Sequence, residues 1–222
     1  MALFSRRRQP EPEVQEEAEP LTSGPWDIED EAGLGNRVDL GALRIPKRPG
    51  MSLRLELERA SRVPVAATVT LGESTVQMQV LAAPRTMSLW DQVRPELAES
   101  VRSSGGEVDE VPGEFGRELL ARMPVTTPGG SGVRPMRLVG IDGPRWMIRA
   151  TFTGKAAFDI QAAKELEDVL RDAVVVRGTQ ARPPREVLPL TVPGQTQQDD
   201  AGAPETDALG MPRRGPEMTE TR

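Results

Sequence analysis

Apolar and polar residues alternate along residues 52–58, SLRLELE, with Leu53, Leu55 and Leu57 on one side and Arg54, Glu56 and Glu58 on the other. A period of two is the pattern of a half-buried strand. Residues 65–80 repeat it twice: Val65, Ala67, Val69 and Leu71, then Val76, Met78 and Val80, with Gly72, Glu73 and Ser74 between. Two alternating runs around a glycine-containing turn predict a β-hairpin. The period then changes. Leu89, Val93, Leu97 and Val101 recur every fourth residue, which predicts one apolar helix face. Ser88 with Asp91 three residues on suits a helix start, and Gly105-Gly106 a stop. Pro95 falls inside this span, so the helix either bends there or begins close to it.

Farther along, residues 107–125 read as two short strands around Pro112-Gly113, and residues 126–132, TTPGGSG, as a loop. A second hairpin is expected over residues 134–154, crossing at Asp142-Gly143, a dipeptide suited to a type I′ turn. Asp159 is placed to cap a second helix with Ile160, Ala163, Leu166, Val169, Leu170 and Ala173 inward, and residues 174–178 follow as a short apolar strand or helix extension. Residues 37–51 read as an extended entry segment broken by Pro46 and Pro49. These elements make one α+β domain over residues 36–195: a mainly antiparallel sheet with two helices packed on one face.

Charge and composition set the flanks apart. Residues 9–31 hold nine carboxylates and no Lys or Arg, whereas residues 51–178 hold 16 basic and 17 acidic groups. Residues 1–35 therefore read as a disordered acidic arm, and residues 196–222, nearly devoid of apolar side chains, as a disordered tail. Trp26, Asp27 and Ile28 interrupt the arm. A Trp and an Ile among carboxylates form either a docking peptide for a partner or an anchor that folds back onto the domain. A net charge of −6 lacks the cationic excess a nucleic-acid binder needs to displace counterions, so nucleic acid is not expected as a partner.

The chain has no His and no Cys. Imidazole-based triads, thiol nucleophiles and thiolate metal sites are thereby excluded, and no cofactor or metal is expected. No apolar run reaches the roughly 20 residues that a membrane span requires, and no apolar stretch follows the N-terminal arginines, so a cytoplasmic location is expected. Thr153-Gly154-Lys155 lacks the preceding glycine and the following Ser or Thr of a phosphate-binding loop.

The densest chemistry lies in GPRWMIRATFTGK, residues 143–155. Trp146, Ile148, Ala150 and Phe152 occupy one face of a strand and read as core. Arg145, Arg149, Thr151 and Thr153 occupy the other. Arg149 between threonines, with Arg145 and with Arg137 on the neighbouring strand, is the candidate face for an anion or for a partner's carboxylates, since Arg presents a rigid fork of donors. The plain alternative is a solvated sheet face.

The ordered blocks GPWD, RVDLGALRIPKRPGM, GEFGRELLARMPV, RLVGIDGPRWMIRATFTG and LRDAVVVRG resemble a family of uncharacterised actinobacterial proteins that carries only a domain-of-unknown-function label, over residues 24–193. The resemblance implies a cytoplasmic protein with no assigned activity or catalytic residue. The strand–helix order is also similar to that of the Mog1/PsbP-like sandwiches. A non-enzymatic interaction or accessory protein with a protein partner is the expected function. The alternative is a binder of, or enzyme acting on, a nucleotide-like anion. That alternative expects a concave pocket with at least two of Arg137, Arg145 and Arg149 beside a carboxylate.

Overall fold

A computed structural model of the chain describes residues 24–127 and 130–194. The expected tail beyond residue 195 and the arm up to residue 23 lie outside the described residues. In chain order the elements are β1 Trp26–Asp27, β2 Arg37–Asp39, β3 Leu43–Pro46, β4 Ser52–Leu57, β5 Pro64–Leu71, β6 Ser74–Ala82 and helix α1 Leu89–Ser103. There follow β7 Glu107–Gly113, β8 Gly116–Thr127, β9 Gly130–Gly143, β10 Trp146–Gly154, a 3₁₀ turn Lys155–Ala157, helix α2 Ile160–Arg171 and β11 Val174–Val175. The large sheet is antiparallel in the order β4-β5-β6-β10-β9-β8-β7, and a small sheet has the order β1-β11-β3-β2. The class is α+β and mainly antiparallel, as the alternation predicts.

The helices, however, divide between the two faces of the large sheet. Trp146, Ile148, Ala150 and Phe152 join α2 and the small sheet in one apolar cluster, whereas Met147 joins α1, Leu81, Leu119, Ala121 and Leu138 in another. Successive strand residues point to opposite faces, so β10 is covered on both sides where Met147 lies. Close approach explains how α1 fits: a Cβ on Gly140 would lie 2.1 Å from the Trp90 ring. The expectation of both helices on one face fails because the polar odd positions of β10 masked one buried Met.

Helix α1 starts as its sequence predicts, with the Ser88 hydroxyl accepting from the Asp91 N–H at 3.0 Å. It runs through Pro95, which is exposed on the solvent side, where the carbonyl deprived of a partner can bond to water. A second cap comes from afar. Asp142, at the end of β9, accepts from the Leu89 N–H at 2.9 Å and the Trp90 N–H at 3.1 Å. In α2, Asp159 caps as expected, at 2.9 Å from the Gln161 N–H. Ile160, by contrast, is exposed while Glu167 is buried.

Three turns differ from expectation. The strands expected to meet at Pro112-Gly113 turn instead at Glu114-Phe115, with Gly113 paired to Gly116. Strand pairing extends into the expected loop at residues 126–132, as far as Thr127 opposite Gly130. The β9–β10 hairpin turns at Pro144-Arg145 rather than Asp142-Gly143, since Gly143 pairs with Trp146. Arg145 takes φ 63°, the left-handed region where a Cβ is penalised. Arg145→Gly should therefore raise stability by about 0.5–1 kcal/mol after the added freedom of the unfolded chain is counted. A urea midpoint below that of the wild type would show that the arginine side chain outweighs its backbone cost.

Of residues 24–35, which composition groups with the acidic arm, Trp26–Asp27 form a strand of the small sheet. Trp26 pairs in parallel with Val174, and Asp27 with Val175. Backbone pairing and the burial of Asp27 hold this segment against the domain.

Candidate functional site

Three segments meet beside the β9–β10 turn. Asp27, Ile28 and Glu29 leave β1; Arg177, Gly178 and Thr179 leave β11; Arg85 lies between β6 and α1; Pro144 and Arg145 form the turn itself. Together they line a cleft of about 430 Å³. Backbone bonds fix its walls: Ile28 N–H to Val175 O at 3.0 Å, Ala83 N–H to Arg145 O at 2.9 Å, and Val176 N–H to Ala42 O at 3.0 Å.

Of the two acidic residues that line the cleft, Glu29 is exposed and Asp27 is already committed. One Asp27 oxygen accepts from the Glu29 N–H at 2.9 Å, and the other from the Trp146 indole N–H at 2.6 Å. The cations are not so matched. Among the described residues, no carboxylate makes an ion pair with Arg85, Arg145 or Arg177. Arg177 donates only to the carbonyls of Gly178 and Gln180, and its Nε is buried without a partner. Burial, followed by the neighbouring charges of Arg145 and Arg182, pulls its pKa below the ordinary arginine value. Even so lowered, an arginine stays charged at neutral pH. The cleft thus brings Arg85, Arg145 and Arg177 together beside Asp27 and Glu29, and an anion seated between Arg145 and Arg177 would relieve the repulsion of that pair.

The residues expected to form one arginine face are separated. Arg137 lies on the opposite side of the large sheet, buried, 3.4 Å from Glu118 and in contact with Glu167, with its guanidinium 4.3 Å from the centre of the Phe152 ring. Arg149 is half-buried and donates to Gln79, and burial lowers its pKa. Thr151 and Thr153 share that face, opposite Gln77 and Thr75, and form polar cross-strand pairs of an ordinary sheet surface. Four residue steps, about 13 Å, separate Arg149 from Arg145. Of the expected set, only Arg145 enters the cleft, beside Asp27 and Ile28. The pocket with two of Arg137, Arg145 and Arg149 is not formed.

Arg85 and Arg177 were not singled out from the sequence. Both lie in irregular segments, where periodicity carries no signal, and only the sheet pairing brings them together. Among the described residues no three acidic side chains converge as a metal site, and no helix is long and apolar enough to cross a membrane.

No curated protein matches the chain. Among solved structures, it is similar to the solution structure of cyanobacterial PsbP (CyanoP) from Synechocystis sp. PCC 6803, at 11% sequence identity over 63% of this chain and 91% of that one. The TM-score of 0.36 is too low for that likeness to carry an argument. A family model described as "Protein of unknown function (DUF3710)" matches residues 24–199, from the first residue of the cis Gly24-Pro25 bond through the whole described fold. The cleft and both of its strand exits lie inside that span, and the chain belongs to this family.

Proposed function

We propose that this chain is a non-enzymatic accessory protein of the cytoplasm that holds an acidic group of a protein partner in the Arg85–Arg145–Arg177 cleft. The observation that carries the reading is the convergence of three arginines with no carboxylate paired to them among the described residues. Arginine forks bind carboxylates through two parallel hydrogen bonds, which gives orientation as well as charge. Arg145 reaches the cleft from a backbone conformation that glycine would adopt at less cost, and strain of that kind gathers at functional sites.

The test compares full-length wild type with the Arg145→Ala/Arg177→Ala variant as bait in a quantitative pull-down from native cytoplasm. Partners held by the cleft are lost from the variant, and their yield from wild type falls as salt is raised. A partner retained equally by both baits in all salts sinks the reading.

A second reading is favoured by the concavity. A volume of about 430 Å³ lies in the range of small-molecule sites, roughly 300–1,000 Å³, so a nucleotide-like anion fits the same charges. Thermal shift with nucleoside phosphates separates the two. Stabilisation of wild type but not of the double variant favours the small ligand.

A further inference from the structure

We propose that β4, an edge of the large sheet, pairs with β4 of a second copy of this chain, antiparallel and centred on Leu55. The strand shares no residue with the cleft, so this surface stands or falls independently of it. Three features of the strand lead to that occupant.

The first is an open row of backbone groups. Among the described residues β4 pairs with β5 alone, at one end of the seven-stranded order. The β5–β6 hairpin closes over two residues with Leu71 opposite Ser74, and such a closing pair shares hydrogen bonds. Alternation then gives Leu71, Val69 and Ala67 to β6, and Thr70, Thr68 and Ala66 to β4. Their partners Ser52, Arg54 and Glu56 spend their backbone groups inward. Past the bulge the Glu58 N–H likewise reaches the Val63 carbonyl, at 2.9 Å. Leu53, Leu55 and Leu57 are left to direct N–H and C=O toward the edge, a template for another strand.

The second is contrast with the other edges. Strand β7 contains Pro112 and carries Glu107, Asp109 and Glu110 with no basic residue of its own. Those carboxylates already pair with Arg94, Arg117 and Arg122. Strands β1 and β2, at the edges of the small sheet, have only two and three residues. Proline, like charge and shortness are the usual protections of an edge, and β4 has none of them.

The third is self-complementarity. Turned antiparallel on itself about Leu55, SLRLELE sets Leu55 against Leu55, Leu53 against Leu57, Arg54 against Glu56 and Ser52 against Glu58. The leucine pairs exchange the open backbone bonds. Arg54 and Glu56 fall at the intervening positions, where facing side chains come closest. A two-fold axis makes every contact twice, which gives two ion pairs. Moving the axis by one residue puts Arg54 against Arg54 or Glu56 against Glu56, and an axis between residues faces open backbone groups with spent ones. Charge and bonding therefore select one register. Both side chains are exposed for it. Arg54 has no ion pair among the described residues, and Glu56 accepts the Thr68 hydroxyl at 3.1 Å. Glu58, which takes the Ser61 hydroxyl, meets a neutral serine. On β5 behind them stand Ala66, Thr68 and Thr70, which add no charge. Leu53 and Leu55 are half-buried and Leu57 is 41% exposed, so pairing also covers apolar surface.

Sedimentation of the full-length chain should show a reversible dimer at submillimolar concentration. Arg54→Glu and Glu56→Arg, each alone, set like charges opposite each other twice and should weaken the dimer at least about tenfold. Mixed, the two variants face opposite charges at both positions, and affinity should return to within about threefold of wild type. Wild type that stays monomeric overturns the proposal. A dimer untouched by either charge change, or not recovered in the mixture, overturns it as well. Leu55→Cys, in a chain without cysteine, gives a readout that does not depend on the charge variants. The register brings the two Leu55 Cα atoms to about 5.5 Å, within the range of a disulfide. Mild oxidation should link Leu55→Cys copies, whereas Ser52→Cys copies, each facing Glu58, should stay apart. Equal yields from the two positions overturn the pairing.

Discussion

Arg137→Ala is expected to destabilise the fold by about 3–5 kcal/mol, the scale of a buried ion pair that loses one partner. Arg137 is 8% exposed, Glu118 1% and Glu167 7%. The guanidinium bridges a carboxylate on β8 and one on α2 while lying over Phe152. It therefore ties the hairpin to the helix across the apolar cluster. Alanine would leave two carboxylates facing each other without a cation, each desolvated.

The pH dependence of that loss carries a definite sign. Burial raises the Glu118 pKa above its ordinary value, against the opposing pull of Arg137. A carboxyl whose folded pKa lies above its unfolded value contributes stability that is fully present below the unfolded value, near 4.3, and lost as pH rises through the folded pKa. Without Arg137 the folded Glu118 value rises further and the window widens upward. The variant should thus regain part of its deficit between pH 7 and pH 5, more than wild type gains over the same interval. Urea unfolding followed by circular dichroism at both pH values measures it. A deficit under about 1 kcal/mol, or one that does not change with pH, would mean that water already reaches this pair.

This triad marks where sequence reasoning reached its limit. The alternation in β4, β5, β6 and β10 was legible because one buried face imposes a period of two. The helix starts at Ser88 and Asp159 were legible because capping is local. Glu167 was not, since its position beside the apolar stripe of α2 is the same whether solvent or Arg137 faces it. The two-sided cover of β10 left a trace in the three consecutive buried residues Trp146, Met147 and Ile148, the run expected of a strand with both faces covered. Read as a simple alternation, it hid one helix. Gly143 misled in another way: a Cβ there would lie 2.2 Å from the Trp146 ring. That glycine serves aromatic packing, and the turn falls two residues later. The cleft was the least legible part. Arg85, Arg145 and Arg177 are distant in sequence and share no element, so nothing short of the strand pairings assembles them.

Trp146→Ala is expected to cost about 3–5 kcal/mol, the upper range for truncating a buried aromatic, with a further loss from Asp27. The indole is fully buried and donates to the Asp27 carboxylate at 2.6 Å. Trp146→Phe separates the two contributions. It keeps most of the apolar volume, removes the donor, and should cost about 1.5–3 kcal/mol, the worth of a hydrogen bond to a charged group. Asp27→Asn added to Trp146→Phe should recover part of this, because a neutral amide left unpaired costs less than a carboxylate. The same variant bears on the cleft. Asp27 also receives the Glu29 N–H at 2.9 Å, so the indole holds the exit of β1 in place. Amide exchange at Ile28 and Glu29 should quicken in Trp146→Phe while that of β6 and β10 stays slow. If Trp146→Phe unfolds within about 0.5 kcal/mol of wild type, the size of an ordinary surface change, and exchange at Glu29 is unaltered, the indole is core filling alone. The wall of the cleft would then be held by β1–β11 pairing without help from the core.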